Sequence, residues 1–192
     1  MMRNFDYPMP YLSQVTKVFA LASTAYLLHK LVKGQQALPN PPEYCPWPTN
    51  NIGLNTKNRN FAAREFHYGP LNPDAPNKQF WYDLAAVLKP KGQKPTREDI
   101  RAAEKALCGN CGVFDISPRM QKCLPPLSDA DEYDRYAIES GSVLGYCWAH
   151  HFKCASKRTC ETWVHGGPIR TNSRSEKMTR RYGKGPKVPI GS

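Results

Sequence analysis

Six of the seven cysteines lie within 53 residues, from Cys108 to Cys160, and two of them form the pair Cys108-x2-Cys111. Four nearby thiolates are enough to bind a zinc ion or an iron–sulfur cluster. Aromatic and histidine residues are also frequent in this stretch. The sequence therefore predicts a domain whose fold depends on what these sulfurs bind.

The number of cysteines and the character of the N-terminus indicate whether the protein resides in a reducing or an oxidising compartment. Seven is an odd number, which excludes complete disulfide pairing within a monomer. The apolar run from Val18 to Leu28 is about 11 residues long, shorter than the roughly 20 residues needed to cross a bilayer. The residues before it do not resemble a secretory leader. We expect a reducing compartment and no contact with a membrane. In such a compartment the cysteines are expected to bind metal rather than to form disulfides. Cys45, which lies apart in the N-terminal half, is expected to be replaceable without loss of metal.

Hydrophobic periodicity and proline divide the first 76 residues into two segments. Residues 12–33 repeat apolar side chains at three- and four-residue spacing, which predicts an amphipathic helix within an N-terminal segment, 1–36. Eight prolines follow between residues 38 and 76. Since proline removes a backbone donor and fixes φ, residues 37–76 are predicted to be an extended arm. Its aromatic residues favour an arm that wraps a partner protein.

A cysteine-rich domain is predicted over residues 77–169. It begins with a helix that Asn77 can cap, and a second helix starts at a capping box from Thr96 to Asp99. A short acidic helix is predicted over residues 129–139, and a basic tail follows over residues 170–192. The predicted fold class is a small α+β or largely irregular, metal-stapled domain with an N-terminal helix and a long extended Pro-rich arm.

The residues alone do not decide between zinc and an iron–sulfur cluster. Zinc would need a second Cys-x2-Cys or a Cys/His pair, for which Cys147 with His150 or His151 is the candidate. Iron–sulfur ligation tolerates less regular spacing and favours an aromatic, apolar shell. A Cys/His nucleophile is disfavoured because no orienting Asp or Asn lies nearby in the sequence. We therefore do not expect an enzyme.

The cysteine spacing resembles that of the high-potential iron–sulfur proteins. The matching positions are Cys108-x2-Cys111, then Cys123, then the Gly-Tyr-Cys sequence that ends at Cys147. The resemblance implies one [4Fe–4S] cluster. Its ligands would be Cys108, Cys111, Cys123 and Cys147.

The chain also departs from that family. The spacer from Cys123 to Cys147 is longer, and Cys154 and Cys160 have no counterpart. Cys160-x2-Trp163 fits the cysteine–aromatic ending equally well, so Cys154 and Cys160 compete as ligands. The competing metal set is Cys108, Cys111, Cys147 and Cys160.

A second resemblance covers residues 72–169. The segments Cys108 to Asp115, Gly145 to Trp148, His151 to Cys154 and Trp163 to Ile169 are similar to small cysteine-rich virion proteins of tailed phages. Those phages infect cyanobacteria and other marine bacteria. The resemblance implies a structural virion component with an iron–sulfur domain. We expect a subunit of the tail or neck that is assembled in the host cytoplasm. Its partners would be other virion subunits, contacted through the N-terminal helix and arm, with no small-molecule substrate.

The charge adds a further kind of partner. The formal charge is +11, and residues 170–192 hold seven Lys and Arg against one Glu. Such an excess favours DNA or an acidic subunit as a contact of the basic tail. Two alternative functions remain: a soluble iron–sulfur electron carrier, and a zinc-stabilised nucleic-acid-binding protein.

Overall fold

A computed structural model describes residues 42–124 and 141–190. The predicted helix over 12–33 and the predicted acidic helix over 129–139 lie outside the described residues. The described residues belong to one compact unit and form a small mixed α/β fold with five α-helices. None of these helices is long and apolar enough to cross a membrane.

The centre of the fold is a three-stranded antiparallel sheet. Its strands are β1 (Phe114–Asp115), β2 (Leu144–Cys147) and β3 (Phe152–Ala155), in that spatial order. Cys147 lies opposite Phe114 on one side and Phe152 on the other. A side chain at Gly145 would collide with the ring of Phe114. Glycine is therefore required for β1 and β2 to pack at this distance.

Successive β2 side chains enter two separate cores, because strand residues alternate between the two faces of a sheet. The first, here called the sulfur face, contains all five free cysteines together with apolar side chains. The second, here called the aromatic face, contains the remaining two cysteines and a group of rings. The buried members of the sulfur face are Ala62, Tyr68, Cys108, Cys111, Phe114, Cys147, Phe152, Cys154 and Cys160. Those of the aromatic face are Cys45, Met120, Cys123, Tyr146, Trp148 and Ile169.

Helix α1 (Ile52–Glu65) lies inside the segment predicted to be an extended arm, so that prediction is wrong for these residues. Asn51 caps the helix by accepting from the Leu54 N–H at 2.9 Å. Two fully buried asparagines then fasten it to the β2–β3 hairpin. Asn55 Oδ1 accepts from the Lys153 N–H at 2.7 Å, and Asn58 Nδ2 donates to the His151 carbonyl at 2.8 Å. These asparagines are polar, so they interrupt the apolar pattern of the helix in the sequence. In the structure the same side chains attach the helix to the hairpin.

The two helices predicted next are confirmed. They are α2 (Lys78–Val87) and α3 (Arg97–Lys105), and they pack through Leu84, Ala85 and Ala103. The capping box at the start of α3 forms as predicted. Lys89, together with the hydrogen bonds of the box, lowers the pKa of Asp99 to about 2. The side chain of Asn77 precedes α2 but donates to the Asn72 and Ala75 carbonyls instead of capping the helix.

The basic segment after residue 170 is folded rather than a loose tail. After the short helix α4 (Pro118–Gln121), helix α5 (Asn172–Tyr182) packs beside it and buries Ser175. The chain then continues along the unit, where the Lys184 carbonyl accepts from the Trp47 N–H at 2.8 Å. The predicted basic tail, residues 170–192, therefore contains a packed helix over Asn172–Tyr182.

Candidate metal centre

Five thiols converge on the sulfur face. Cys108, Cys111, Cys147, Cys154 and Cys160 are between 1% and 8% exposed. They are packed with Phe114, Phe152 and Tyr68, and Trp163 lies against the edge of the cluster. The shell around the sulfurs is therefore aromatic and apolar.

The first sulfur-bearing turn follows α3. A 3₁₀ turn over Cys108–Asn110 brings the Cys111 N–H to 2.9 Å from the Cys108 carbonyl. The Cys108 N–H donates to the Arg158 carbonyl at 2.6 Å, which fixes the turn to the chain beyond β3. A side chain at Gly167 would overlap the Cys111 carbonyl, so only glycine lets the two backbones lie this close.

The second and third turns follow β2 and β3. The His151 N–H donates to the Cys147 carbonyl at 2.9 Å, and His151 has a φ of 53° as the chain reverses into β3. The Trp163 N–H donates to the Cys160 carbonyl at 3.2 Å. Its indole Nε1 donates to the Leu107 carbonyl at 3.0 Å. The third turn is thereby fixed to the first.

Backbone N–H groups point at three of the five sulfurs. Cys111 Sγ accepts from Val113 and Val164, the latter at 3.5 Å. Cys147 Sγ accepts from Ala149 and His150. Cys160 Sγ accepts from the Thr162 N–H, and its contact with Thr162 Oγ1 is 3.1 Å.

In each case one donor lies two residues after the cysteine. A thiol sulfur is a weak acceptor, whereas a thiolate or metal-bound sulfur gains from such donors. The turns around Cys111, Cys147 and Cys160 are therefore suited to sulfur that carries negative charge.

Burial opposes that charge when no cation is present. Desolvation raises the pKa of the Cys111, Cys154 and Cys160 thiols above the usual range. Charge on Cys108 and Cys147 raises all three pKa values further. The pKa of Cys147 is instead lowered, chiefly because the Cys154 thiol donates a hydrogen bond to its sulfur. The set would ionise as a group only around a positive charge.

The structure separates Cys123 from the other predicted ligands. Cys123 is bonded to Cys45 in a disulfide that joins positions 78 residues apart, and a disulfide sulfur is not a thiolate ligand. The predicted set that included Cys123 is therefore not brought together, and Cys45 is not isolated. Cys108, Cys111, Cys147 and Cys160 lie in one buried core, which also contains Cys154. No sequence signal paired Cys45 with Cys123, because connectivity does not follow from spacing.

The two histidines lie on different faces. His150 is buried, and its Nε2 lies 2.6 Å from Thr162 Oγ1, the hydroxyl that contacts Cys160. Burial, followed by the charge of His151, lowers the pKa of His150 to about 4. The Nδ1 atom of His151 lies 3.1 Å from the Tyr146 hydroxyl, on the aromatic face. His150 thus supports a sulfur through Thr162, and His151 points away from the thiols.

Within residues 42–124 and 141–190, no three His, Cys, Asp or Glu side chains already have the spacing of a formed metal site. The five thiols share a core, with Cys154 hydrogen-bonded to both Cys108 and Cys147. No protein-family profile, curated protein or solved structure matches the chain.

Proposed function

We propose that the protein is a structural subunit of a tailed-phage particle, in its tail or neck, whose folded unit is held together by a [4Fe–4S] cluster. The proposed ligands are Cys108, Cys111, Cys147 and Cys160. The observation that carries the metal part is the packing of five buried free thiols in one core, where the Val164 N–H donates to Cys111 Sγ at 3.5 Å and Thr162 Oγ1 lies 3.1 Å from Cys160 Sγ. When bound, the cluster would supply the positive charge that buried thiolates require.

The donor set fits four-sulfur ligation. Cys111, Cys147 and Cys160 each accept N–H groups, and Cys108 starts the turn that ends at Cys111. Cys154 differs because its thiol is hydrogen-bonded to two other sulfurs. We therefore assign the fifth thiol as a supporting group rather than a ligand.

The aromatic, apolar side chains around the thiols favour an iron–sulfur cluster rather than zinc. Four sulfurs suit either metal centre, and the aromatic, apolar lining limits access of water and oxygen, on which cluster lifetime depends. The resemblance to high-potential iron–sulfur proteins supports the same choice. Zinc is the alternative that metal analysis would identify.

The virion role rests on the resemblance over residues 72–169. Two structural features are compatible with it: the thiols are nearly inaccessible, and they lie in a core rather than in an open cleft. A structural metal site needs no open coordination position, whereas a catalytic metal site does. Assembly contacts are assigned to residues 1–36 from their sequence alone.

The metal is tested by purifying the full chain without oxygen and measuring iron, acid-labile sulfide and zinc. The expected result is a brown protein with about four irons and four sulfides per chain. A colourless protein with about one zinc overturns the cluster. The virion role is tested separately by mass spectrometry of density-purified phage particles. If the protein remains in the host lysate and is missing from the particles, the structural assignment fails.

A further inference from the structure

A cleft between α4 and α5 gathers cations that the sequence places far apart. Its volume is about 510 Å³, and its lining includes Arg119 of α4, Lys122 directly after α4 and Arg180 of α5. Glu176 is the acidic residue in the lining, against these three cations. The cleft exists because the segment after residue 170 folds onto the unit, so it is a composite of two distant segments.

Arg119 is held in a defined position within this cleft. Its guanidinium lies 3.9 Å from the ring centroid of Tyr44, a cation–π contact. Its Nη1 donates to Thr179 Oγ1 at 3.1 Å, and its backbone N–H donates to Asn172 Oδ1 at 2.9 Å. A guanidinium has five N–H donors in a rigid fork. A fixed fork loses less side-chain entropy when it binds an oxyanion.

Positive charge continues from the cleft along α5. Arg174, Lys177 and Arg180 are exposed at three-residue intervals, which corresponds to a rise of about 4.5 Å between neighbours. Arg181 is exposed beside Arg180, and Glu176 is the acid of this helix. The cleft therefore opens onto a row of cations rather than onto a single charge.

We propose that this surface binds the sugar–phosphate backbone of double-stranded DNA without reading its sequence. A phosphate accepts several donors at once, and the cleft offers a guanidinium, a lysine and an asparagine amide around one space. The row on α5 then contacts further phosphates of the same polymer. A repeated cation pattern fits a ligand with a repeated charge better than it fits an isolated carboxylate.

The surface is independent of the metal centre. Tyr44 packs against the aromatic face, as does Met178 of α5, whereas the thiols occupy the sulfur face. Failure of DNA binding would leave the metal content unchanged, and failure of the cluster assignment would leave the charge of the cleft unchanged.

The test is fluorescence anisotropy of a labelled DNA duplex with the full chain, repeated over a range of salt concentrations. The cleft variant Lys122→Gln/Arg180→Gln is compared with Lys91→Gln/Lys94→Gln, which removes the same charge from the exposed loop between α2 and α3. We expect the cleft variant to weaken binding at least tenfold. It should also lower the slope of log K against log salt by about 2, since each phosphate contact contributes about 0.9. The loop variant should change affinity less than twofold.

A second variant, Arg119→Lys, keeps the charge but loses the fixed fork, and we expect about threefold weaker binding with little change in slope. Equal weakening by the cleft and loop variants overturns the proposal, because binding would then depend on net charge alone. Polyglutamate that binds as tightly as DNA, and that the cleft variant weakens equally, also overturns it in favour of an acidic protein. Metal content and circular dichroism confirm that each variant is folded.

Discussion

The two faces of the sheet are built by different chemistry, although they share strand β2. On the aromatic face, Tyr146 and Trp148 meet edge to face with centroids 5.0 Å apart, next to the Cys45–Cys123 disulfide. On the sulfur face, Cys147, one residue from each ring, joins four other free thiols. The aromatic face is held together by a disulfide bond and by contacts between rings. The sulfur face is packed around free thiols, which are able to bind a metal.

The polar groups make the contrast sharper. On the aromatic face, Trp148 Nε1 donates to Asp115 Oδ2 at 3.0 Å, and the Ser117 N–H donates to Asp115 Oδ1 at 2.9 Å. Both carboxylate oxygens are thus partnered by the protein itself. On the sulfur face, N–H groups point at the sulfurs of Cys111 and Cys147. Under our proposal, the aromatic face is stable without added groups and the sulfur face needs its metal.

The largest effect should come from Cys147→Ser. A structural zinc site contributes about 10–16 kcal/mol in small domains, which is comparable to the whole stability of a typical domain, about 5–15 kcal/mol. Loss of one ligand should therefore abolish metal binding and leave little soluble, folded protein. Metal analysis and circular dichroism of the soluble fraction measure both results. A Cys147→Ser protein with normal metal content and melting temperature would show that the two faces do not differ as proposed.

The disulfide should contribute less, and only to stability. The double variant Cys45→Ser/Cys123→Ser also removes two sulfurs, but from the aromatic face. Opening a loop of this length should lower the free energy of unfolding by about 4.5 kcal/mol, since the stabilisation grows with the length of the closed loop. Chemical denaturation measures this change, and metal content should stay normal. Loss of metal from this variant would instead return Cys123 to the ligand set.

Two Trp→Phe substitutions compare the faces directly. Trp148→Phe removes the indole donor to the buried Asp115 and should cost about 2 kcal/mol without metal loss. Trp163→Phe removes the bond to Leu107 that fixes the third sulfur-bearing turn. It should cost about 1 kcal/mol but speed metal release to a chelator. If both variants release metal at the same rate, then a change on the aromatic face affects metal binding on the sulfur face. The two faces would then not have the separate roles that we propose.

Local chemistry made part of the fold predictable. Helices α2 and α3 both carry apolar residues at helical spacing, and α3 also begins at a recognisable capping box, so the sequence was enough to predict both. Helix α1 was missed because its buried face includes Asn55 and Asn58, whose hydrogen bonds reach β3 and its preceding turn, nearly a hundred residues away. A buried amide looks polar in the sequence and becomes visible only when its distant partner is known.

The candidate site shows the same limit. Cysteine density identified the five thiols of the sulfur face, because local spacing brings Cys108 near Cys111 and a hairpin brings Cys147 near Cys154. Spacing could not separate Cys123 from them, since its partner Cys45 lies in a distant segment. The N–H donors to sulfur depend on backbone turns and were likewise beyond what residue identity can indicate.

The smallest effect should come from Cys154→Ser, and it decides between the competing ligands. The Cys154 thiol donates to Cys147, and a serine hydroxyl can do the same, so we expect a cost of about 1 kcal/mol and unchanged metal content. Cys160→Ser is the matched control. Cys160 accepts from Thr162, as a charged sulfur would, so this variant should lose its metal. Iron or zinc per chain in the two purified variants gives the answer. The reverse outcome, with metal lost from Cys154→Ser and kept in Cys160→Ser, would place the fourth ligand on β3 and make Cys160 the supporting thiol.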